Sequence, residues 1–197
     1  MTETPFFVKL KNRGLLQLEG ADRHDFLQGL ITNDMRKLSS SNPLYACLLS
    51  PQGKFLHDFF VIERNDVTFI DCEGGDRAQD LYNRLNMYRL RADVQISIER
   101  ENDVYTIFGA PGLGIPDPRH PDMGRRFFEK PEGMEEKPFE EWDKRRIALT
   151  LPDGSRDLII DKSTMDEKLM CAFYLYPWFF LNNVVRQEGD ENPYGRT

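Results

Sequence analysis

Three short apolar runs, residues 45–49, 54–63 and 67–71, follow one another with little but turn chemistry between them. Strands joined this closely can pair only with their chain neighbours running antiparallel, because a parallel return needs a crossover of a dozen or more residues. Ser50-Pro51-Gln52-Gly53 places proline second and glycine fourth, as a type I turn favours, and Asn65-Asp66 makes the next reversal. A three-stranded meander is therefore expected. Alternation along the middle strand puts Asp58 on the face of Leu56, Phe60 and Ile62.

The flanking sequence adds strands and helices in alternation. Residues 6–18 hold two short alternating runs about Asn12-Arg13-Gly14, where a glycine of positive φ would close a hairpin. Asp22, with Asp25 three residues on, starts a helix that carries Phe26, Leu27, Leu30 and Ile31 on one face and ends near Thr32-Asn33-Asp34. The spacing of Leu81, Leu85 and Tyr88 predicts a second helix over 78–90, and 94–98 and 104–108 alternate as strands. The order argues for an α+β fold, a mainly antiparallel sheet with packed helices. Residues 109–138 are crowded with proline and glycine and read as an insertion without core. Helical spacing resumes over 139–149 and stops at Leu151-Pro152-Asp153-Gly154.

Charge and cysteine usage narrow the function classes. The formal charge of −7 opposes broad contact with nucleic acid or anionic membrane, so any anionic ligand needs a local basic patch. Cys47, Cys72 and Cys171 are odd in number and form no CxxC pair, which fits a reducing compartment. No apolar export signal opens the chain, and a cytoplasmic protein is expected. Residues 169–185 are nearly uncharged, yet Pro177 and Asn182-Asn183 interrupt them before the roughly 20 residues a membrane span wants. His24, His57 and His120 share no ligand spacing, so no metal site is expected. Gly112-Leu113-Gly114 lacks the strand and helix of a dinucleotide fingerprint.

Asp58 is the acid of interest. A carboxyl among apolar neighbours needs either a structural hydrogen-bond network or a ligand that supplies donors, and alternation does not choose between them.

Phe26-Leu27-Gln28-Gly29-Leu30-Ile31-Thr32-Asn33-Asp34, then Tyr45, then Gln52-Gly53-Lys54-Phe55-Leu56-His57-Asp58 resembles the YgfZ-like folate-binding proteins of the glycine-cleavage T-protein superfamily. Tyr88-Arg89-Leu90-Arg91 is similar to the family's YxLR element; Arg146-Ile147-Ala148-Leu149 with Leu151-Pro152, and the run from Gly154 to Thr164, extend the likeness over about residues 5–165. The resemblance implies domains around a folate cavity, with Tyr45 and Asp58 near the pterin and Asp58 the candidate catalytic acid. Arg89 and Arg91, or Arg145 and Arg146, are either surface ion-pair residues or partners of a folate tail. Tetrahydrofolate, weakly bound, is the implied cofactor, and iron–sulfur proteins or their assembly factors the implied partners.

The family's KGCYxGQE motif and C-terminal β-barrel are not matched, and Cys171 lacks the motif's neighbours. Residues 1–164 are expected to form the folate-binding region, and 165–197 a divergent apolar tail. The implied role is iron–sulfur cluster assembly or repair and, through it, tRNA modification. A folate-dependent aminomethyltransferase and an inactive remnant are the alternatives.

Overall fold

The computed structural model describes residues 4–100 and 102–160. The expected tail, with Cys171 and the apolar run 169–185, lies outside the described residues. Two five-stranded sheets are present. The first has the order β3 (Leu44–Leu49), β4 (Phe55–Arg64), β5 (Val67–Glu73), β2 (Arg13–Glu19), β6 (Gln95–Glu99), antiparallel throughout. The second has the order β10 (Glu135–Lys137), β1 (Phe6–Lys9), β7 (Tyr105–Phe108), β9 (Arg125–Phe127), β8 (Ile115–Pro116), in which only β1 and β10 run parallel. The α+β, mainly antiparallel architecture is as the sequence implies.

The meander forms through the expected chemistry. The Gly53 amide donates to the Ser50 carbonyl at 2.9 Å, and Asn65 and Asp66 both take positive φ, 53° and 60°, the conformation that matches strand twist in a two-residue hairpin. The middle strand departs from simple alternation. Leu48 pairs with His57 but Leu49 with Phe55, so Leu56 is an extra, bulged residue. It turns to the core of Phe59 and Val61, away from the face that Asp58 shares with Phe60 and Ile62.

The expected hairpin over residues 6–18 does not form. β1 joins the second sheet and β2 the first, where β5 and β6 flank it and its leucines are buried on both faces. Gly14 serves a close approach instead of a turn: a Cβ there would lie 3.2 Å from the Gly74 Cα. Asp22 is the N-cap residue of α1 (Arg23–Gln28), but its side chain makes no capping hydrogen bond; its carboxylate accepts from the Asp93 amide at 2.8 Å, tying the helix to the segment before β6.

One core lies between the first sheet and α1 with α2 (Asp76–Arg89), which buries Ala78, Leu81 and Leu85. Tyr88, expected on that stripe, is exposed with the last turn of α2. A second core fills the space between the sheets and under α3 (Phe139–Ala148), with Phe6, Tyr45, Phe60, Met123 and Trp142. The proline- and glycine-rich segment 109–138 is no coreless insertion. It builds β8, β9 and β10 and buries Met123, Asp117, Arg119 and Arg126. Its Gly124, at φ 74°, leaves no room for a side chain, since a Cβ would meet the Ile107 carbonyl oxygen at 2.5 Å. Glycine here allows tight packing, which composition alone reads as looseness.

Candidate functional site

Asp58 and Tyr45 meet where the two sheets face each other. Tyr45 lies diagonally across the β3–β4 ladder from Asp58, on the same face, and its hydroxyl donates to Asp58 Oδ2 at 2.7 Å. Both are buried. Loss of solvation pushes the Asp58 carboxyl above its ordinary range, although Arg13 and the Tyr45 hydrogen bond pull it back. Burial, and then the Asp58 charge, hold the Tyr45 phenol well above its usual value.

Three arginines surround this pair, none of them singled out by the sequence reading. Arg13 donates through Nε to Asp71 Oδ1 and through Nη2 to the Asp71 carbonyl, both at 2.7 Å. Arg119 grips Asp117 with Nε at 3.0 Å and Nη2 at 2.8 Å, and gives Nη1 to the Pro152 carbonyl at 2.8 Å. Arg126 Nη1 stands 2.9 Å from Asp71 Oδ2, but neither atom makes an aligned hydrogen bond, so the contact is an ion pair only. The guanidinium carbons of Arg126, Arg119 and Arg13 lie 4.1, 4.6 and 5.5 Å from the centre of the Phe60 ring. Burial opposes the charge on all three. Carboxylates overcome it at Arg13 and Arg119, whereas Arg126 is left below its ordinary value. At Asp117 burial is likewise outweighed, by the Arg119 charge and hydrogen bonds.

Asp58 differs from the other carboxylates of this cluster. Asp71, Asp117 and Asp153 each accept a hydrogen bond from a guanidinium; among the described residues Asp58 accepts only from Tyr45, and its Oδ1 makes no hydrogen bond. That oxygen faces Gly154, where a Cβ would stand 3.5 Å away. Gly154 is held there because Ser155 donates to Glu73 through its amide at 3.0 Å and its hydroxyl at 2.7 Å, and Asn12 donates to Asp153 at 2.8 Å. The segment 152–158 thus closes the approach to Asp58.

The structure does not bring Arg89 or Arg91 to this pair. Both are exposed, and α2 packs on the opposite face of the first sheet. Arg146 is buried by Asp143 and Asp157, at 2.6 and 2.5 Å, while Arg145 lies over the Phe108 ring at 4.4 Å. Asp71 shows the alternation that singled out Asp58, and Arg13 precedes buried Leu15 by two, so period-2 reading could have found both. Asp117 and Arg119 sit in an irregular segment with no period to mark them.

Among the described residues no group of three or more His, Cys, Asp or Glu side chains could hold a metal ion. Burial raises the thiols of Cys47 and Cys72, the latter to about 12, so both are poor thiolate ligands.

No family model matches the chain. The chain is similar to mitochondrial iron–sulfur cluster assembly factors. It is 27% identical to the IBA57 homolog of Neurospora crassa over 185 residues, which cover 77% of this chain and 42% of that protein. The human protein of the same description is 28% identical over 76% of this chain and 52% of its own length. The homolog of Coccidioides immitis is 40% identical over 78 residues, 38% of this chain. The chain spans about half or less of the length of these relatives. A glycine cleavage system aminomethyltransferase T from Bartonella henselae is similar in structure over 54% of this chain and 30% of its own, with a TM-score of 0.47 and 17% identity.

These relatives correct the expectation of a cytoplasmic protein: each is described as mitochondrial. The lack of an apolar export signal does not bear on the mitochondrion, since mitochondrial targeting uses amphipathic, arginine-rich segments.

Proposed function

We propose that this chain acts in iron–sulfur cluster assembly in the mitochondrion, and that it binds a reduced folate at Asp58. The observation that supports the first part is the alignment with assembly factors over about three quarters of the chain. The cluster is cargo in this reading, delivered to or from a partner protein, and any effect on tRNA modification lies downstream.

The second part rests on Asp58 being the carboxyl of the cluster that no guanidinium hydrogen-bonds among the described residues. Three carboxylates of the cluster accept from guanidiniums, whereas Asp58, raised by desolvation, accepts only from Tyr45 among the described residues. A pterin ring supplies the amide N–H and exocyclic amine that such a carboxyl accepts. Asp58 and Tyr45 would hold that edge, and a ligand reaching them would displace the segment at Gly154. Arg89 and Arg91 have no part in this site.

Calorimetric titration of tetrahydrofolate tests the folate reading. Loss of a charge-assisted acceptor is worth about 1.5–3 kcal/mol, so Asp58→Asn is expected to weaken binding roughly 10- to 100-fold, with Arg89→Ala within about twofold. Equal effects of the two would refute it. The assembly reading is tested apart, by following visible absorption as a [2Fe–2S] donor passes its cluster to an apo acceptor; no change in rate on adding the chain counts against it.

A further inference from the structure

We propose that the cleft beside the ends of β7 and β9 binds a small organic carboxylate with an apolar body. It is separate from Asp58, and the inference does not depend on the folate reading. The cleft has a volume of about 470 Å³ and is walled by Phe108, Pro116, Pro121, Asp122, Arg125 and Arg145. Small-molecule sites run from about 300 to 1,000 Å³, and this cleft has that size, with a lining as polar as it is apolar.

Successive side chains of a strand point to opposite faces. Arg126 therefore enters the buried cluster between the sheets, and Arg125 turns to the cleft. The Arg125 guanidinium is fixed by its own chain: Nε donates to the Leu113 carbonyl at 2.6 Å and Nη2 to the Gly114 carbonyl at 2.8 Å. Among the described residues Nη1 makes no hydrogen bond, so an immobilised cation keeps donors in hand. Fastening the 113–114 loop does not need that third nitrogen. Arg145 brings a second guanidinium, placed by the Phe108 ring at 4.4 Å and the Phe6 ring at 5.5 Å.

The charge selects an anion and the walls select its body. Among the described residues Asp122 is the one acid in the lining, and its side chain is 76% exposed, so water screens it. Arg125 and Arg145 both line this cleft in a chain that carries −7, where the overall field disfavours anions. Inorganic oxyanions would satisfy the guanidiniums but leave the proline and phenylalanine walls wet. An aromatic or branched aliphatic carboxylate satisfies both.

The test titrates the full chain with benzoate, inorganic phosphate and neutral benzyl alcohol, followed by amide shifts at Gly109 and Ala110 and by calorimetry. Benzoate is expected to move these amides, and to bind at least about tenfold more tightly than either other probe. Arg125→Ala is expected to weaken benzoate about tenfold, and Asp122→Asn to tighten it about twofold. A thermal melt checks that Arg125→Ala is folded; if it is not, Arg125→Lys, which keeps the charge and loses the fork, takes its place with a smaller loss. Benzyl alcohol binding as well as benzoate overturns the role of charge, phosphate binding as well overturns the organic class, and silent amides overturn the site.

Discussion

Replacing Asp71 by Asn should unfold this protein more readily than almost any other single isosteric change. The Asp71 carboxylate is fully buried between two guanidiniums, accepting from Arg13 at 2.7 Å and standing 2.9 Å from Arg126. The amide keeps the shape and removes the charge, leaving two buried cations each short of a counter-ion. Breaking a buried pair from one side costs about 3–5 kcal/mol, mainly the desolvation of the charge left behind. That is a large share of the roughly 5–15 kcal/mol that holds a domain folded. At about 2–4 °C per kcal/mol for a chain of this size, the melting temperature should fall by roughly 6–20 °C. Thermal unfolding followed by circular dichroism measures it, with Asp103→Asn as control. Asp103 pairs with Lys9 at 2.6 Å, but the two side chains are 50% and 34% exposed, and such surface pairs are worth about 0–1 kcal/mol. If Asp71→Asn loses no more than the control, the cluster is not a desolvated charge network and the account given for it is wrong.

Asp58→Asn should behave in the opposite sense. Burial raises the Asp58 carboxyl in the folded state, so the fold binds that proton more tightly than the unfolded chain, and stability declines as pH rises through the window above the ordinary carboxylate value. Asn removes that cost, and the variant should be as stable as the parent or up to about 1 kcal/mol more so at pH 7, with the advantage shrinking toward pH 4; a loss like that of Asp71→Asn would refute this. His57 supplies an acid-side dependence. It is buried against Asp80 at 2.8 Å, and burial, with the Arg77 charge, lowers it from 6.5 to about 4. The unfolded chain therefore takes up the proton first, and stability present above pH 6.5 is lost as pH falls toward 4. His57→Gln should flatten the urea midpoint over that range; an unchanged slope would mean the imidazole is not held neutral.

Local chemistry was legible residue by residue. Gly53 and Asn65-Asp66 turned the chain where their conformational preferences said they would, and Leu81 and Leu85 lie on the buried side of their helix. Asp58 and Tyr45 were placed on one face by alternation together with the family pattern, and they touch. The bulge at Leu56 was not readable, because one extra residue in a ladder is defined by its partner strand.

The amino-acid sequence by itself determined the strands, the turns between neighbours and the face each side chain takes, since these depend on backbone sterics and periods of a few residues. Only the tertiary structure decided which strands pair across long separations, sending β1 and β2 into different sheets, and which distant charges meet. Arg13, Asp71, Asp117, Arg119 and Arg126 come from segments up to 113 residues apart and are held together between two sheets. A buried charge is tolerable only beside its counter-charge, and that condition is imposed by packing, which no local pattern records.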